Sequence, residues 1–158
     1  MSDAEEVISR LSAASQTIVL AESCTAGLVA DLLAQVPGAS RVLWGSYVSY
    51  TGAAKIAMLG LDEEILRRYG AVSRETACAM AQGALQRSRA DIAAAVTGLA
   101  GPEGDGSPVP VGTLWIATVG RGMGVEAQVF QYTGSRQAVR SAAAGAVIRE
   151  LIRRLSSV

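Results

Sequence analysis

Lys55 is the one lysine of this chain, against thirteen arginines, and the chain contains no histidine. Arginine stays protonated in proteins, whereas a desolvated lysine can lose its proton near neutral pH and act as a base. Ser23 ends a predicted strand, and a serine hydroxyl needs a base before it attacks a carbonyl carbon. Because a Ser-His-Asp triad needs a histidine, which this chain lacks, Lys55 is the candidate base if Ser23 is a nucleophile. The alternative is that Lys55 is an ordinary surface cation.

The residues around Ser23 offer further candidates and further alternatives. A helix predicted to begin beside it would present unpaired N–H groups and a positive dipole end to a developing oxyanion. Ser23 or Thr25 could equally be the N-cap of that helix. Cys24 is a second candidate nucleophile, since a helix N-terminus lowers the pKa of a thiol, but no histidine is present to pair with it. Tyr50 ends the next predicted strand and is either a proton relay or an ordinary aromatic residue at a sheet terminus.

The loop 98–112 is rich in glycine and proline and longer than most connections in a compact domain, which indicates function. Thr97, Gly98 and Gly101 would let backbone amides approach a ligand closely. Residues 105–107 could equally form an exposed flexible tip. The loop matches neither the dinucleotide-binding nor the P-loop pattern.

Arg136 and Arg140 lie one turn apart on a predicted helix. Two guanidinium groups at this spacing could hold a phosphate. The alternative is a solvated helix face.

The hydrophobic pattern predicts the elements that must position these side chains. Short apolar or β-branched runs predict strands at 17–23, 41–50, 90–98, 113–120 and 126–132. Capping residues and helical spacing predict helices at 2–14, 24–36, 51–60, 62–69, from 73 onward and at 135–155. Strands that alternate with helices indicate an α/β fold: one domain, residues 1–158, with a mixed sheet covered on both faces.

The bulk composition excludes several classes of protein. The formal net charge is zero, which argues against a nucleic-acid binder or an anionic-membrane binder. Cys24 and Cys78 have no CxxC spacing and no histidine partner, so neither a zinc site nor a disulfide framework is expected. The first residues lack the pattern of a signal peptide, and no apolar run reaches membrane-spanning length. We therefore expect a cytoplasmic protein, with a homodimer as a further expectation.

Five segments together resemble the CinA C-terminal domain family. They are AESCTAGL (21–28), SYTGAAKIAMLG (49–60), YGAVSRETA (69–77), VTGLAGPEGDG (96–106) and PVGTLWIA (110–117). The resemblance spans nearly the whole chain. It implies a three-layer α/β/α sandwich and a nicotinamide-nucleotide amidohydrolase (NMN deamidase), which hydrolyses the carboxamide of nicotinamide mononucleotide to nicotinate mononucleotide and ammonia. It implies neither a metal nor an organic cofactor.

The resemblance also assigns residues. The family's serine, tyrosine and lysine fall on Ser23, Tyr50 and Lys55. Its substrate-loop threonine and glycines fall on Thr97, Gly98 and Gly101. The arginine of its last helix falls on Arg140, with Arg136 beside it, and these would hold the 5′-phosphate; Thr25 joins them as an expected substrate-binding residue.

This chain departs from the usual family residues near the site, at Ala26, Thr51–Ala54, Val109 and Ser135. These departures favour an alternative function, a non-catalytic nucleotide-binding or regulatory module of the same fold. A third hypothesis is an enzyme that forms a Schiff base on Lys55.

Overall fold

In the computed structural model, which describes residues 1–157, five strands form one mixed sheet in the order β2–β1–β3–β4–β5. The strands are β1 (Ile18–Glu22), β2 (Leu43–Val48), β3 (Ile92–Gly98), β4 (Thr113–Gly120) and β5 (Met123–Gln131). β1 pairs in parallel with both β2 and β3, whereas β4 is antiparallel to β3 and to β5. The apolar runs thus become the inner strands, as the sequence predicts for strands buried on both faces.

Six α-helices cover the sheet. They are α1 (Asp3–Ala13), α2 (Leu28–Ala34), α3 (Gly52–Leu59), α4 (Glu63–Tyr69), α5 (Arg74–Arg87) and α6 (Arg136–Ser156). α1, α2 and α6 pack on one face, and α3 and α5 pack on the other. This three-layer α/β/α arrangement with a mixed sheet confirms the predicted fold.

The two-residue period of β1 decides which side chain serves which layer. Ile18 and Leu20 belong to the core shared with α1, α2 and α6, whereas Val19 and Ala21 belong to the core under α5. Continued past the strand, the same alternation places residue 22 and residue 23 on opposite faces.

Side-chain caps begin most of the helices, and several were predicted from sequence. Ser2 and Glu5 form the predicted capping box of α1, and Asp62 and Ser73 cap α4 and α5. Ser135 caps α6. Each cap accepts a backbone N–H that the first helical turn leaves unpaired, so it marks where the helix begins.

The predicted helix at 24–36 is wrong in its first turn, because α2 begins only at Leu28. Ala26 and Gly27 adopt left-handed backbone angles, with φ of 49° and 101°, and a right-handed helix cannot pass through them. Gly27 is the N-cap and has no side chain to bond the helix. Residues 24–27 therefore separate Ser23 from α2. We call residues 23–27 the nucleophile turn, after the candidate nucleophile Ser23.

The hairpin between β4 and β5 is also tighter than predicted. β5 begins at Met123, so the turn contains only Arg121 and Gly122, and Gly122 supplies the positive φ of 77°. No helix within residues 1–157 has both the length and the apolar character needed to cross a bilayer.

Candidate active site

Ser23 and Lys55 meet at the carboxyl edge of the parallel strands. The Nζ atom of Lys55 lies 2.9 Å from the Oγ atom of Ser23. Ser23 directly follows β1, and its N–H continues the ladder to the carbonyl of Val96 at 3.1 Å. Lys55 lies in the first turn of α3, which follows β2, the neighbour of β1. Since parallel strands end at one edge of a sheet, the topology brings these two side chains together.

Burial changes the protonation of Lys55. The side chain is 1% exposed, and this burial is the main cause that lowers its pKa from 10.5 to about 8. The neighbouring Cys24 acts in the opposite direction and more weakly. A lysine whose pKa is about 8 is a neutral base in about a tenth of the molecules at pH 7 and in about half of them at pH 8.

Two backbone carbonyls orient the amine. Nζ lies 3.1 Å from the carbonyl oxygen of Ser49 and 3.4 Å from that of Tyr50. A neutral amine has two hydrogens and one lone pair. When the two hydrogens bond the carbonyls, the lone pair is left for the hydroxyl of Ser23. The geometry is thus suited to proton transfer from the serine to the lysine.

Tyr50 contributes to this site through its backbone. When Lys55 is protonated, its amine donates to Ser23 Oγ and the Ser23 hydroxyl donates to the carbonyl of Tyr50 at 3.3 Å. When Lys55 is neutral, the hydroxyl can turn to the lone pair of the amine instead. The phenol of Tyr50 is 49% exposed and accepts a hydrogen bond of 2.6 Å from Arg136. The phenol therefore lies at the rim of the site with Arg136.

A cavity of about 280 Å³ opens over Ser23 and Lys55. It also contains five of the other residues predicted from sequence: Tyr50, Thr97, Gly98, Gly101 and Arg136. The Thr97 hydroxyl donates to the carbonyl of Ala71 at 2.7 Å, and the Gly101 carbonyl accepts from Arg136 at 2.7 Å. Arg136 is the one arginine among residues 1–157 that lines this cavity.

Thr25 and Arg140 lie behind the cavity wall. Thr25 is fully buried, and its hydroxyl donates to the carboxylate of Glu22 at 2.7 Å. Arg140 donates from Nε to the carbonyl of Cys24 at 2.8 Å and from Nη2 to the carbonyl of Thr25 at 3.1 Å. Thr25 is itself part of the nucleophile turn, and Arg140 contacts that turn from outside the cavity.

Cys24 lines the cavity, but its thiol is poorly suited to attack. Burial raises the pKa of Cys24 to about 11, against the lowered pKa expected at a helix N-terminus. Burial is the main cause, and the start of α2 does not offset it, because the helix begins only at Leu28 and the N–H groups of Val29 and Ala30 donate to Glu22. The thiolate is therefore rare at neutral pH.

Two backbone amides beside Ser23 are available to bind an oxyanion. The N–H groups of Ser23 and Ala26 are bonded to carbonyls of the chain. Those of Cys24 and Thr25 donate to no other residue within 1–157. The amide that follows a nucleophile is well placed for the developing charge.

Sequence reasoning missed three carboxylates at or near the site. Glu22 is the charged last residue of the otherwise apolar strand β1, and a charge at the end of a buried strand was the signal that could have identified it. Glu103 and Asp105 line the cavity from the loop 98–112. Hydrogen bonds from the hydroxyl and then the N–H of Ser107 lower the pKa of Asp105, which fixes the loop locally. Within residues 1–157, no group of three or more Cys, Asp or Glu side chains is arranged to hold a metal ion.

Solved structures share this fold over almost the whole chain. The competence/damage inducible protein CihA from Agrobacterium tumefaciens superposes with a TM-score of 0.91 at 40% identity, covering 99% of this chain and 97% of that one. A CinA superfamily protein from Escherichia coli superposes with a TM-score of 0.92 at 32% identity, covering 95% and 87%.

Sequence comparison identifies the same relatives. A CinA-like protein of Akkermansia muciniphila is 48% identical over 120 residues, 76% of this chain and 29% of that protein. A CinA-like protein of Geobacter metallireducens is 43% identical over 141 residues, 89% of this chain and 34% of that protein. The chain thus spans about a third of the length of these curated relatives. Residues 2–155 match the family described as the CinA C-terminal domain, and the chain belongs to that family.

Proposed function

We propose that this chain is a nicotinamide-nucleotide amidohydrolase, which hydrolyses the carboxamide of nicotinamide mononucleotide to nicotinate mononucleotide and ammonia. The observation that supports it most is the distance of 2.9 Å between the Lys55 amine and the Ser23 hydroxyl, with a lysine pKa of about 8. A buried lysine beside a serine can act as the base that activates the serine hydroxyl for nucleophilic attack in acyl transfer. The choice of nicotinamide mononucleotide as substrate rests on the resemblance of the site segments to those of the family's deamidases.

In the first half of the reaction, neutral Lys55 accepts the hydroxyl proton while Ser23 Oγ attacks the carboxamide carbon. The carbonyl oxygen becomes an oxyanion, which the N–H of Cys24 stabilises. Removing one donor of this kind typically raises a barrier by about 3–4 kcal/mol. The protonated Lys55 then gives its proton to the leaving nitrogen, and ammonia departs as the carbon–nitrogen bond breaks. The product is an ester between Ser23 and the nicotinoyl group.

In the second half, water replaces ammonia. Lys55 is neutral again and accepts a proton from the water that attacks the ester carbon. The carbon–oxygen bond to Ser23 breaks, and the proton returns from Lys55 to the serine oxygen. The product forms as the carboxylic acid and gives its proton to the released ammonia in solution, which leaves nicotinate mononucleotide with a new carboxylate, ammonium, and the enzyme in its starting protonation state.

We assign the 5′-phosphate to Arg136. The resemblance pointed mainly to Arg140, but the Nε and Nη2 groups of Arg140 already donate to backbone carbonyls behind the cavity. Arg136 is exposed and lines the cavity mouth, so its guanidinium can exchange its bonds to Gly101 and Tyr50 for a phosphate. Bonds from a guanidinium to a phosphate, in which both partners are charged, are stronger than its bonds to the neutral carbonyl and phenol that they replace.

The test is the release of ammonia and nicotinate mononucleotide by the wild type, Ser23→Ala and Lys55→Met. We expect both variants to lose about 10⁴-fold in kcat, because each removes a member of one catalytic unit. Ser40→Ala is the matched control, since Ser40 is exposed and is not among the residues that line the cavity.

Two outcomes would contradict the proposal. Turnover that survives Ser23→Ala or Lys55→Met would exclude the Ser–Lys mechanism. Binding of nicotinamide mononucleotide with no turnover by the wild type would instead identify a nucleotide-binding module of the same fold.

A further inference from the structure

Glu22 is a buried carboxylate that the proposed mechanism does not use. It lies between Ala21 and Ser23, and it is 1% exposed. Five hydrogen-bond donors surround its two oxygens. They are the hydroxyls of Thr25 (2.7 Å) and Ser46 (2.8 Å) and the N–H groups of Gly27 (3.2 Å), Val29 (2.9 Å) and Ala30 (3.2 Å).

These contacts explain how a carboxylate is accommodated without a cation. All five partners donate, which is what an ionised carboxylate needs when it leaves water. Three of them are N–H groups at the start of α2, where the helix dipole favours a negative charge. Glu22 therefore accepts the unpaired N–H groups at the start of α2, which the N-cap residue Gly27 cannot do because it has no side chain. Because residues 22 and 23 point to opposite faces, this carboxylate can affect the reaction only through the backbone.

Arg140 holds the same turn by its carbonyl groups. Its guanidinium bonds the carbonyls of Cys24 and Thr25, and it reaches them from α6, more than a hundred residues further along the chain. The nucleophile turn contains the left-handed Ala26 and Gly27, and such conformations persist only where the surroundings hold them. Glu22 thus accepts N–H groups from the end of the turn and the start of α2, and Arg140 donates to two carbonyl groups of the turn.

Glu22 also connects the nucleophile to its base. Ser46, which donates to Glu22, lies on β2, and β2 leads directly to Ser49 and Tyr50. The carbonyls of those two residues orient the Lys55 amine. One carboxylate therefore fixes the strand end that holds Lys55 relative to the turn that holds Ser23.

We propose that Glu22 and Arg140 are positioning residues that hold the nucleophile turn from two sides and keep Ser23 within hydrogen-bond reach of Lys55. This role differs from phosphate binding by Arg140. The inference deepens the proposed function and rests on it wherever turnover is the measurement.

The kinetic experiment separates positioning from substrate binding. For Arg140→Met we expect kcat to fall about 100-fold with KM changed less than about threefold, because a misplaced nucleophile slows chemistry without removing a substrate contact. For Arg136→Met we expect mainly a higher KM. Glu22→Gln keeps an oxygen for Thr25, Gly27 and Val29 but loses the acceptor for Ala30 and Ser46. An intermediate loss of about 10-fold in kcat is therefore expected.

The controls exclude a general loss of structure. Gln137→Ala removes only the contact of 3.1 Å between Arg140 and another side chain, and it should leave kcat unchanged. All rates are normalised to folded protein, measured by circular dichroism at the assay temperature. In each variant, the pH at which kcat/KM reaches half its maximum should stay near that of the wild type, because the carbonyls around Lys55 remain. A raised KM with unchanged kcat in Arg140→Met would overturn the proposal. A normal kcat per folded molecule in both Arg140→Met and Glu22→Gln would overturn it as well.

A second measurement does not depend on turnover. Amide hydrogen exchange of the segment 23–30 should become faster in Arg140→Met and Glu22→Gln, while β3 and β4 stay protected. Unchanged exchange in this segment would overturn the positioning role even if the enzyme hydrolyses nicotinamide mononucleotide. Conversely, failure of Ser23→Ala to reduce turnover would reject the proposed mechanism and leave the exchange result standing.

Discussion

At the scale of a single residue, the proposed mechanism makes catalysis depend on the protonation of the Lys55 amine. With a pKa of about 8 in the folded chain, the amine is mostly protonated at pH 6 and mostly neutral at pH 9. We expect kcat/KM to rise about tenfold per pH unit below 8 and to level off above it, since only the neutral amine accepts the serine proton. A pH series from 6 to 9.5 measures this. A profile that is flat through pH 8 would contradict the assignment of Lys55 as base.

The same titration changes stability. Between pH 8 and 10.5 the unfolded chain holds a proton that the folded chain has released, so the free energy of unfolding increases with pH in that window. At roughly 1.4 kcal/mol per pH unit, the full window corresponds to about 3 kcal/mol. We expect the wild type to gain stability relative to Lys55→Met between pH 7 and pH 10, as measured by urea unfolding. A constant difference between the two proteins would show that the lysine is hydrated.

At the scale of elements, Ala26 is a residue whose backbone conformation suits glycine better. Its φ of 49° places it in the left-handed region, which costs an alanine roughly 1–2 kcal/mol relative to the right-handed one. We expect Ala26→Gly to raise the free energy of unfolding by up to about 1 kcal/mol, measured by urea unfolding. Ala142→Gly, within the regular helix α6, is the matched control and should lower it by about 1 kcal/mol. Equal destabilisation by both would contradict the strain at Ala26.

Gly83 lets α5 approach α3, the helix that carries Lys55. A Cβ atom on Gly83 would lie 2.3 Å from the carbonyl oxygen of Leu59, which is backbone and cannot move aside. We expect Gly83→Ala to destabilise the fold by about 2 kcal/mol and to lower turnover through displacement of α3. Gly145→Ala, in α6, would meet only the flexible end of Arg149 at 3.2 Å and should be neutral or stabilising. Thermal unfolding of the two variants makes the comparison, and equal stability would contradict the close packing.

Two family departures lie at helix starts, where the structure gives them a capping role. Thr51 accepts the N–H of Ala54 at 3.0 Å and begins α3, and Ser135 accepts the N–H of Ala138 at 3.1 Å and begins α6. Lys55 and Arg136 lie in the first turns of these helices. The substitutions thus retain the feature that positions those two side chains, because threonine and serine cap helices well.

At the scale of the whole molecule, ligand binding depends on the complete fold, because the cavity is lined by segments that are distant in sequence. Arg136 reaches Tyr50 across 86 residues of sequence and closes one side of the cavity. We expect nicotinamide mononucleotide to raise the Tm of Ser23→Ala, which binds without turnover, by the equivalent of about 2.7 kcal/mol at a ligand concentration of 100 Kd. Calorimetry with and without ligand measures it. Arg136→Met in the same background should shift the ligand dependence to higher concentration, and an unchanged dependence would exclude Arg136 as the phosphate ligand.

Local patterns in the sequence determined much of this protein. Short apolar or β-branched runs predicted five strands, and the capping residues Ser2, Asp62 and Ser73 predicted where three helices begin. These features depend on neighbours a few residues away, so the chain reveals them without its fold. The absence of histidine and the single Lys55 likewise limited the chemistry of Ser23, and the structure brings the two together.

The tertiary structure alone decided how the side chains around that pair divide their roles. Arg136 and Arg140 are equivalent in spacing and type, yet one lines the cavity and the other bonds the carbonyls behind it. The start of α2 was predicted wrongly because Glu22 bonds N–H groups up to eight residues away, which allows a left-handed turn in place of a helical one. The directions and burial of Arg136 and Arg140 are set by contacts between segments that only folding brings together, and so no local pattern could have contained them.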